Sequence, residues 1–321
     1  MGSWRAWLVA AGMVVMVTML TSESLVEAQL QYGYYDQLGC RGVEDRVRTL
    51  VRRSYVTDVT ASAAMLRLAF HDCQVGPGGC DGSIMIEGNG REMSSDGNFG
   101  VKRLDIINSV KSDMEQMCPN TVSCADIIAL AGRDAVAFNG GPDIRIPLGR
   151  KDADTSSAAE ADSKLPPATS TVDRVLSVFA PFGLTPQESV AMLGAHTLGV
   201  GHCKNIQDRL RFNSPTAPDS LMYRTQLRAA CAVNVFDVAI LTNDASQFTF
   251  DNQYYRDIQN GRGLFTVDNA ISTDPRTAPI VSMFAANQGA FFAAFQSGYV
   301  KLTARALTGN QGTVRSTCQL N

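Results

Sequence analysis

The chain has 321 residues, with 28 Lys and Arg against 31 Asp and Glu and a formal net charge of −3. A near-neutral balance gives nucleic acid no electrostatic footprint to bind. The length suits one large or two packed domains with sizeable cores, and the composition is that of an ordinary globular protein.

The N-terminus stands apart. Arg5 precedes an apolar run from Trp7 to Leu20, and Val26-Glu27-Ala28 resembles a small-residue cleavage site. The run is short for a membrane span, so residues 1–28 read as a secretory signal peptide, with a mature domain over 29–321. Both tryptophans, Trp4 and Trp7, fall in that leader. Eight cysteines follow it, at 40, 73, 80, 118, 124, 203, 231 and 318. An even count behind a signal predicts disulfides. Spacing leaves the pairing open, except that a Gly-rich loop suggests Cys73 with Cys80.

Gln29 to Cys40 reads as an irregular tethered terminus, and Val43 to Val56 as a helix by its apolar spacing. Ala61 to Ala69 contains strong helix formers and no Gly or Pro. In the run Arg67-Leu-Ala-Phe-His-Asp-Cys73 that follows, Arg67, Phe70 and His71 fall on one helical face. Such a face combines a fixed cation, a ring and an imidazole able to take and return a proton. Taken singly, His71 would be a structural histidine and Arg67 a surface charge. The loop Gln74 to Ser83 groups Asp72, Asp81 and Ser83 as hard oxygen donors of the kind Ca²⁺ takes, or as a plain polar turn.

Residues 84–103 read as loop, with Glu92 and Asn98. Leu104 to Met117 is a predicted helix, and Ser123 starts another with Asp126 as capping-box partner. It stops at Asn139-Gly-Gly-Pro142, and Ile146 to Asp152 is loop. A Ser/Ala/Asp-rich connection reaching Leu165-Pro-Pro167 is the expected boundary between halves of about 29–165 and 166–321. Val172 to Phe179 is a short helix. Thr185-Pro-Gln-Glu188 is a strong helix start. That helix ends near Gly194-Ala-His196-Thr-Leu-Gly199, where a neutral imidazole would suit iron if something accepts its other N–H. A helix-end histidine beside free carbonyls is the commoner reading for a lone case.

Cys203 to Cys231 encloses a polar helix-and-loop segment, and His202 reads as a solvent-facing loop residue without a role. Asp244 to Asp251 is a second oxygen-rich loop, and a helix starts at Asp251. Gly263 to Asp268 is short and apolar before an acid. Pro279 to Ala286 and Gly289 to Leu302 read as helices, the second with a core stripe of Phe291, Phe292, Phe295 and Tyr299.

Five motifs together, Arg-Leu-Ala-Phe-His-Asp-Cys, Thr-Val-Ser-Cys-Ala-Asp, Pro-Leu-Gly-Arg, Gly-Ala-His-Thr-Leu-Gly and Phe-Asp-Asn-x-Tyr-Tyr, appear in register with the cysteines. In these the chain resembles the secreted plant haem peroxidases of the horseradish peroxidase type, over nearly all of the mature length. The resemblance implies a mainly α fold, two helical halves sandwiching one haem b. It implies that Arg67, Phe70 and His71 line the distal side, that Asn98 orients His71 with Glu92 behind it, and that Pro166 lies beside the donor. His196 would bind the iron and Asp268 would accept its other N–H.

The implied pairing is Cys40–Cys118, Cys73–Cys80, Cys124–Cys318 and Cys203–Cys231. Two Ca²⁺ are implied, one on Asp72, Val75, Gly79, Asp81 and Ser83, the other on Thr197, Asp244, Ser246, Thr249 and Asp251. The implied activity is reduction of hydrogen peroxide with one-electron oxidation of small phenolic donors. The protein would act as a monomer outside the cell, in the wall or in the vacuole, with no membrane contact after leader cleavage.

The chain also departs from the family. The Cys73–Cys80 loop carries the extra Gly76-Pro77, the proximal loop is one residue short with Ser246 for threonine, and Arg103-Leu-Asp105 replaces Arg-Gly-Phe. The altered loops leave an alternative, a secreted haem- or wall-binding protein without turnover. An intracellular ascorbate- or cytochrome c-type peroxidase fits the leader and cysteines poorly.

Overall fold

The computed structural model describes residues 29–76, 78–211, 220–232 and 240–320. The expected leader and Pro77 lie outside them. The chain is mainly helical. In order come α1 (Tyr34–Gln37), α2 (Val43–Thr57), α3 (Ala61–Gln74), α4 (Leu104–Met117), α5 (Cys124–Phe138), α6 (Ala158–Lys164), α7 (Val172–Phe179), α8 (Pro186–Leu193), α9 (Gln207–Leu210), α10 (Leu221–Ala232), α11 (Gln253–Gln259), α12 (Thr266–Thr273), α13 (Ala278–Ala286) and α14 (Gln288–Ala304). Two three-residue strands, β1 (Val200–His202) and β2 (Ile240–Thr242), pair antiparallel with Gly201 opposite Leu241.

α5 is buried from Cys124 to Val136 on every face. A helix buried all round belongs at the centre, and α5 is where α2, α3 and α4 converge. Gly132 is what lets α3 and α14 come so close to it. A Cβ there would lie 2.6 Å from the Ala69 Cβ and 2.5 Å from the Tyr299 hydroxyl. One continuous apolar core runs from Tyr35 to Cys318 and takes in the stripe Phe291, Phe295 and Tyr299, all fully buried. Burial on this scale is the main drive to fold.

The cysteines pair as Cys40–Cys118, Cys73–Cys80, Cys124–Cys318 and Cys203–Cys231, the pairs that the resemblance implies. The helix starting at Ser123 forms, but its cap differs from expectation. Ser123 accepts the Asp126 N–H at 3.1 Å. The Asp126 carboxylate does not reach back. It takes the Tyr35 hydroxyl at 2.6 Å and Arg150 Nη1 at 2.6 Å. The Gly149 N–H also reaches Asp126 Oδ2 at 2.8 Å, so both oxygens are taken by partners distant in the chain, the charge-assisted Arg150 bond foremost. The expected connection before Leu165 contains helix α6, and Asp268, read as ending an apolar stretch, sits in the first turn of α12. Among the described residues no single helix is long and apolar enough to cross a membrane.

Candidate active site

α3 buries all but one stripe. Ala63, Ala64, Arg67, His71 and Gln74 keep accessible surface while their helical neighbours have almost none. At 100° per residue these five fall within a single face, so the helix borders a hollow there. Phe70 stands at the edge of that stripe, 8 % exposed, with its ring against Phe295 and Tyr299.

The stripe's polar groups are fixed from behind. The His71 Nδ1–H meets Asn98 Oδ1 at 2.6 Å, and Asn98 Nδ2 donates to the Glu92 backbone carbonyl at 2.8 Å. Arg67 Nε donates to His71 Nε2 at 3.1 Å. Because a guanidinium can only donate, Nε2 must carry the lone pair and Nδ1 the proton. Burial, and then the Arg67 charge, lower the His71 pKa to about 3, with His196 a smaller contributor. His71 is therefore neutral at any physiological pH. Burial lowers the Arg67 pKa to about 10, which leaves it charged.

Arg67 is aimed by two carbonyls, Nη1 to Phe99 at 2.9 Å and Nη2 to Gly97 at 3.3 Å. That loop is gripped in turn. His202 meets the Phe99 ring edge-on at 5.4 Å and Lys204 Nζ lies 4.3 Å over its face. Gly100, at φ +81°, has His202 and Arg67 within 3.1 and 3.3 Å of where a Cβ would stand. The reading of His202 as a solvent-facing loop residue is thus corrected. It is half-buried on β1, where it packs against the Phe99 ring. Neither Phe99 nor His202 carries a sequence signal for this contact, because the two meet only across 103 positions.

The other side of the hollow comes from α8. Thr185 and Glu188 form a reciprocal capping box, and the helix tightens into a 3₁₀ turn over Gly194–Thr197 that presents His196. A Cβ on Gly194 would come within 2.6 Å of the Phe291 ring, so glycine is what lets the turn sit against the core. The His196 Nδ1–H meets Asp268 Oδ1 at 3.0 Å, so Nε2 is the ring nitrogen left to bind a ligand, and the imidazole keeps a third of its surface accessible. Phe265 and Tyr254 wall the ring at 5.1 and 5.9 Å. Tyr254 also donates its hydroxyl to Asp268 Oδ1 at 2.8 Å, and the Phe265 N–H reaches Oδ2 at 2.9 Å. Gly199, at φ +93°, meets α3 where a Cβ would lie 2.8 Å from Ala63, so the two sides of the hollow touch. Pro166 is half-buried, and the segment after it is tied to α12 by the Val267 N–H on the Ala168 carbonyl at 3.0 Å.

A haem fits this donor set. One imidazole has Nδ1 held by a carboxylate, so Nε2 is the atom it could offer a metal, beside an aromatic wall, and a second imidazole with an arginine borders the same hollow.

Two oxygen clusters flank the site. Beyond the C-terminal end of α3, Asp72 Oδ1, Asp81 Oδ2, Ser83 Oγ and Glu92 Oε2 are buried without a hydrogen-bond partner. Burial raises the Asp72 and Asp81 pKa values and lifts Glu92 to about 7. Orphaned buried oxygens are costly, and a hard cation is the chemistry that satisfies them. Glu92 thus serves Asn98 through its main chain, while its carboxyl faces this cluster. Val75 is buried at the end of α3, and Gly79, at φ +82°, packs against the Arg305 carbonyl.

On the proximal side Thr197 Oγ1 donates to Asp244 Oδ2 at 2.7 Å and lies 3.3 Å from both the Thr249 carbonyl and Asp251 Oδ1. Ser246 Oγ reaches Asp251 Oδ1 at 2.9 Å. Among the described residues no three His, Cys, Asp or Glu side chains form a metal-holding group, so either cluster needs hydroxyls and carbonyls to complete a shell. A surface cleft between α4 and the C-terminal tail, lined by Asn108, Ser112 and Cys318, contains none of these residues.

A model of the family described as peroxidase matches residues 43–287. The chain is 46 % identical over 303 residues to Peroxidase 29 of Arabidopsis thaliana, covering 90 % of this chain and 88 % of the relative. It is 39 % identical over 297 residues to Peroxidase 57 of the same plant, covering 91 % and 92 %, and 37 % identical over 313 residues to its Peroxidase 18, covering 95 % and 94 %.

Proposed function

From the chain's membership of the plant haem peroxidase family we propose that it reduces hydrogen peroxide with the side chains around the α3–α8 hollow, while oxidising small phenolic donors. The activity on hydrogen peroxide and the use of haem follow from the family. The donor class, the residue roles, the two calcium ions, a monomeric state, a distal half over about 29–165 with a proximal half after it, and release of the mature chain outside the cell or into the vacuole are our reading.

The observation that carries it is the pair of oppositely equipped imidazoles. His196 would hold the haem iron through Nε2, and Asp268 keeps that nitrogen basic by drawing on the Nδ1 proton. Bound haem would supply the redox chemistry that links two-electron reduction of peroxide to one-electron oxidation of donors. The rest falls to the protein. His71 Nε2 takes the proton from one peroxide oxygen and returns it to the other, so the leaving group departs as water. For this, arriving peroxide displaces the Arg67 Nε–H from Nε2. The freed guanidinium then stabilises negative charge on the departing oxygen. Asn98 holds the Nδ1 proton, so the ring always presents its basic edge. Pro166, in the segment tied to α12, borders the donor.

His71→Ala is expected to slow the peroxide step by on the order of a hundredfold or more, read by stopped-flow absorbance of the haem band. An unchanged rate would remove His71 from the mechanism. A donor screen in the same apparatus identifies the class of reductant, and a chain that binds haem but turns over no phenol overturns that part of the reading.

A further inference from the structure

Asp268 serves more than His196. One carboxylate oxygen, Oδ1, takes both the His196 Nδ1–H at 3.0 Å and the Tyr254 hydroxyl at 2.8 Å, while Oδ2 takes the Phe265 N–H at 2.9 Å. Asp268 and Tyr254 are each 1 % exposed, so no solvent shares these bonds. Tyr254 belongs to the Phe250-Asp-Asn-Gln-Tyr-Tyr255 motif. Its neighbour Tyr255 is engaged elsewhere, on the Val190 carbonyl at 3.0 Å.

We propose that Tyr254 is a positioning residue that sets, through Asp268, how strongly His196 donates to a metal. Two donors on one oxygen divide its electron density, and in a dry site such charge-assisted bonds are strong. With the phenol in place, Asp268 draws less on the Nδ1 proton and His196 stays close to a neutral imidazole. Without it, the same proton is drawn further, the ring gains imidazolate character and Nε2 becomes the stronger ligand. The inference rests on reading His196 as the iron ligand. It adds that Tyr254 moderates this ligand.

Tyr254→Phe in the full-length haem-loaded protein removes only the hydroxyl. The ferric/ferrous midpoint potential is expected to fall, because a stronger ligand favours the ferric state. At a fixed potential the ferric-to-ferrous ratio should rise about three- to tenfold, the size expected if roughly half of a charge-assisted hydrogen bond is felt at the imidazole. The iron–histidine stretching frequency of the ferrous protein should rise with it. 3-Fluorotyrosine in place of Tyr254, a better donor of nearly the same shape, should move both readouts the other way. In an Asp268→Asn background the Tyr254→Phe change should vanish.

A tyrosine that merely fills space predicts no movement in potential or stretch with either replacement, and that result overturns the proposal. If the phenylalanine variant fails to retain haem, the fluorotyrosine result decides. If the unmodified protein shows no iron–histidine stretch at all, the ligand reading fails and this inference fails with it. A normal stretch that neither replacement moves sinks the inference alone.

Discussion

His71 shows how much chemistry one side chain acquires from its neighbours. Free histidine titrates near neutrality, but burial and the adjacent Arg67 bring this one to about 3. The folded pKa lies below the unfolded value, so the unfolded chain binds more protons between the two. This site's contribution to stability is therefore present at neutral pH and is lost as pH falls from about 6.5 towards 3. The peroxide rate constant should likewise be flat near neutrality and decline only as pH drops through about 3, where the base becomes protonated. Asn98→Asp places a carboxylate on Nδ1, favours imidazolium and should move that acid limb upward by roughly a unit or more. A limb that stays in place, in a pH series of stopped-flow rates, would dissociate Asn98 from His71.

At the scale of elements, α8 owes its direction to its first turn and its depth to its last. Thr185→Ala breaks the capping box and should destabilise the protein by about 1 kcal/mol, read by urea or thermal unfolding. The turn after it is closely packed. Gly194→Ala pushes a methyl towards Phe291 and Tyr255, where overpacking costs about 1–3 kcal/mol. Because the shift displaces the turn bearing His196, the substitution should also weaken haem retention in a transfer assay to an apo-acceptor. Full retention would show that the turn has slack the packing does not suggest.

For the whole molecule, staples and buried oxygens matter most. Cys124–Cys318 joins positions 194 apart, and its loss should remove roughly 2–5 kcal/mol of stability. The distal oxygens Asp72 Oδ1, Asp81 Oδ2 and Ser83 Oγ lack partners among the protein's own groups. Chelation should therefore lower the melting temperature and loosen the α3–Asn98 segment that aims His71, with activity falling in parallel. Elemental analysis of active protein is expected to find about two calcium ions per chain, the number implied by two clusters that each complete a hard-oxygen shell. Active protein free of calcium would refute the assignment of both loops. One apolar core runs from Tyr35 to Cys318, so thermal unfolding should be a single cooperative transition.

Much of this was legible in one dimension because it depends on local chemistry. Helix starts such as Thr185 to Glu188, the shared face of Arg67 and His71, and the apolar stripe of α14 are set by neighbours three or four positions apart. The family resemblance suggested the rest of the candidate site: His196 lies in one of its motifs, while Asp268 and Asn98 came only from the overall match, and periodicity alone could not have joined them. Tertiary structure decided what depends on groups distant in the chain. It put the Asp126 carboxylate on Arg150 instead of its own helix start, brought His202 and Lys204 onto Phe99, and set Tyr254 on the oxygen that His196 uses. For Asp126 and Tyr254 a buried polar group must find a partner wherever the fold supplies one, for Phe99 a ring must find its cover, and only the folded chain determines which partner is within reach.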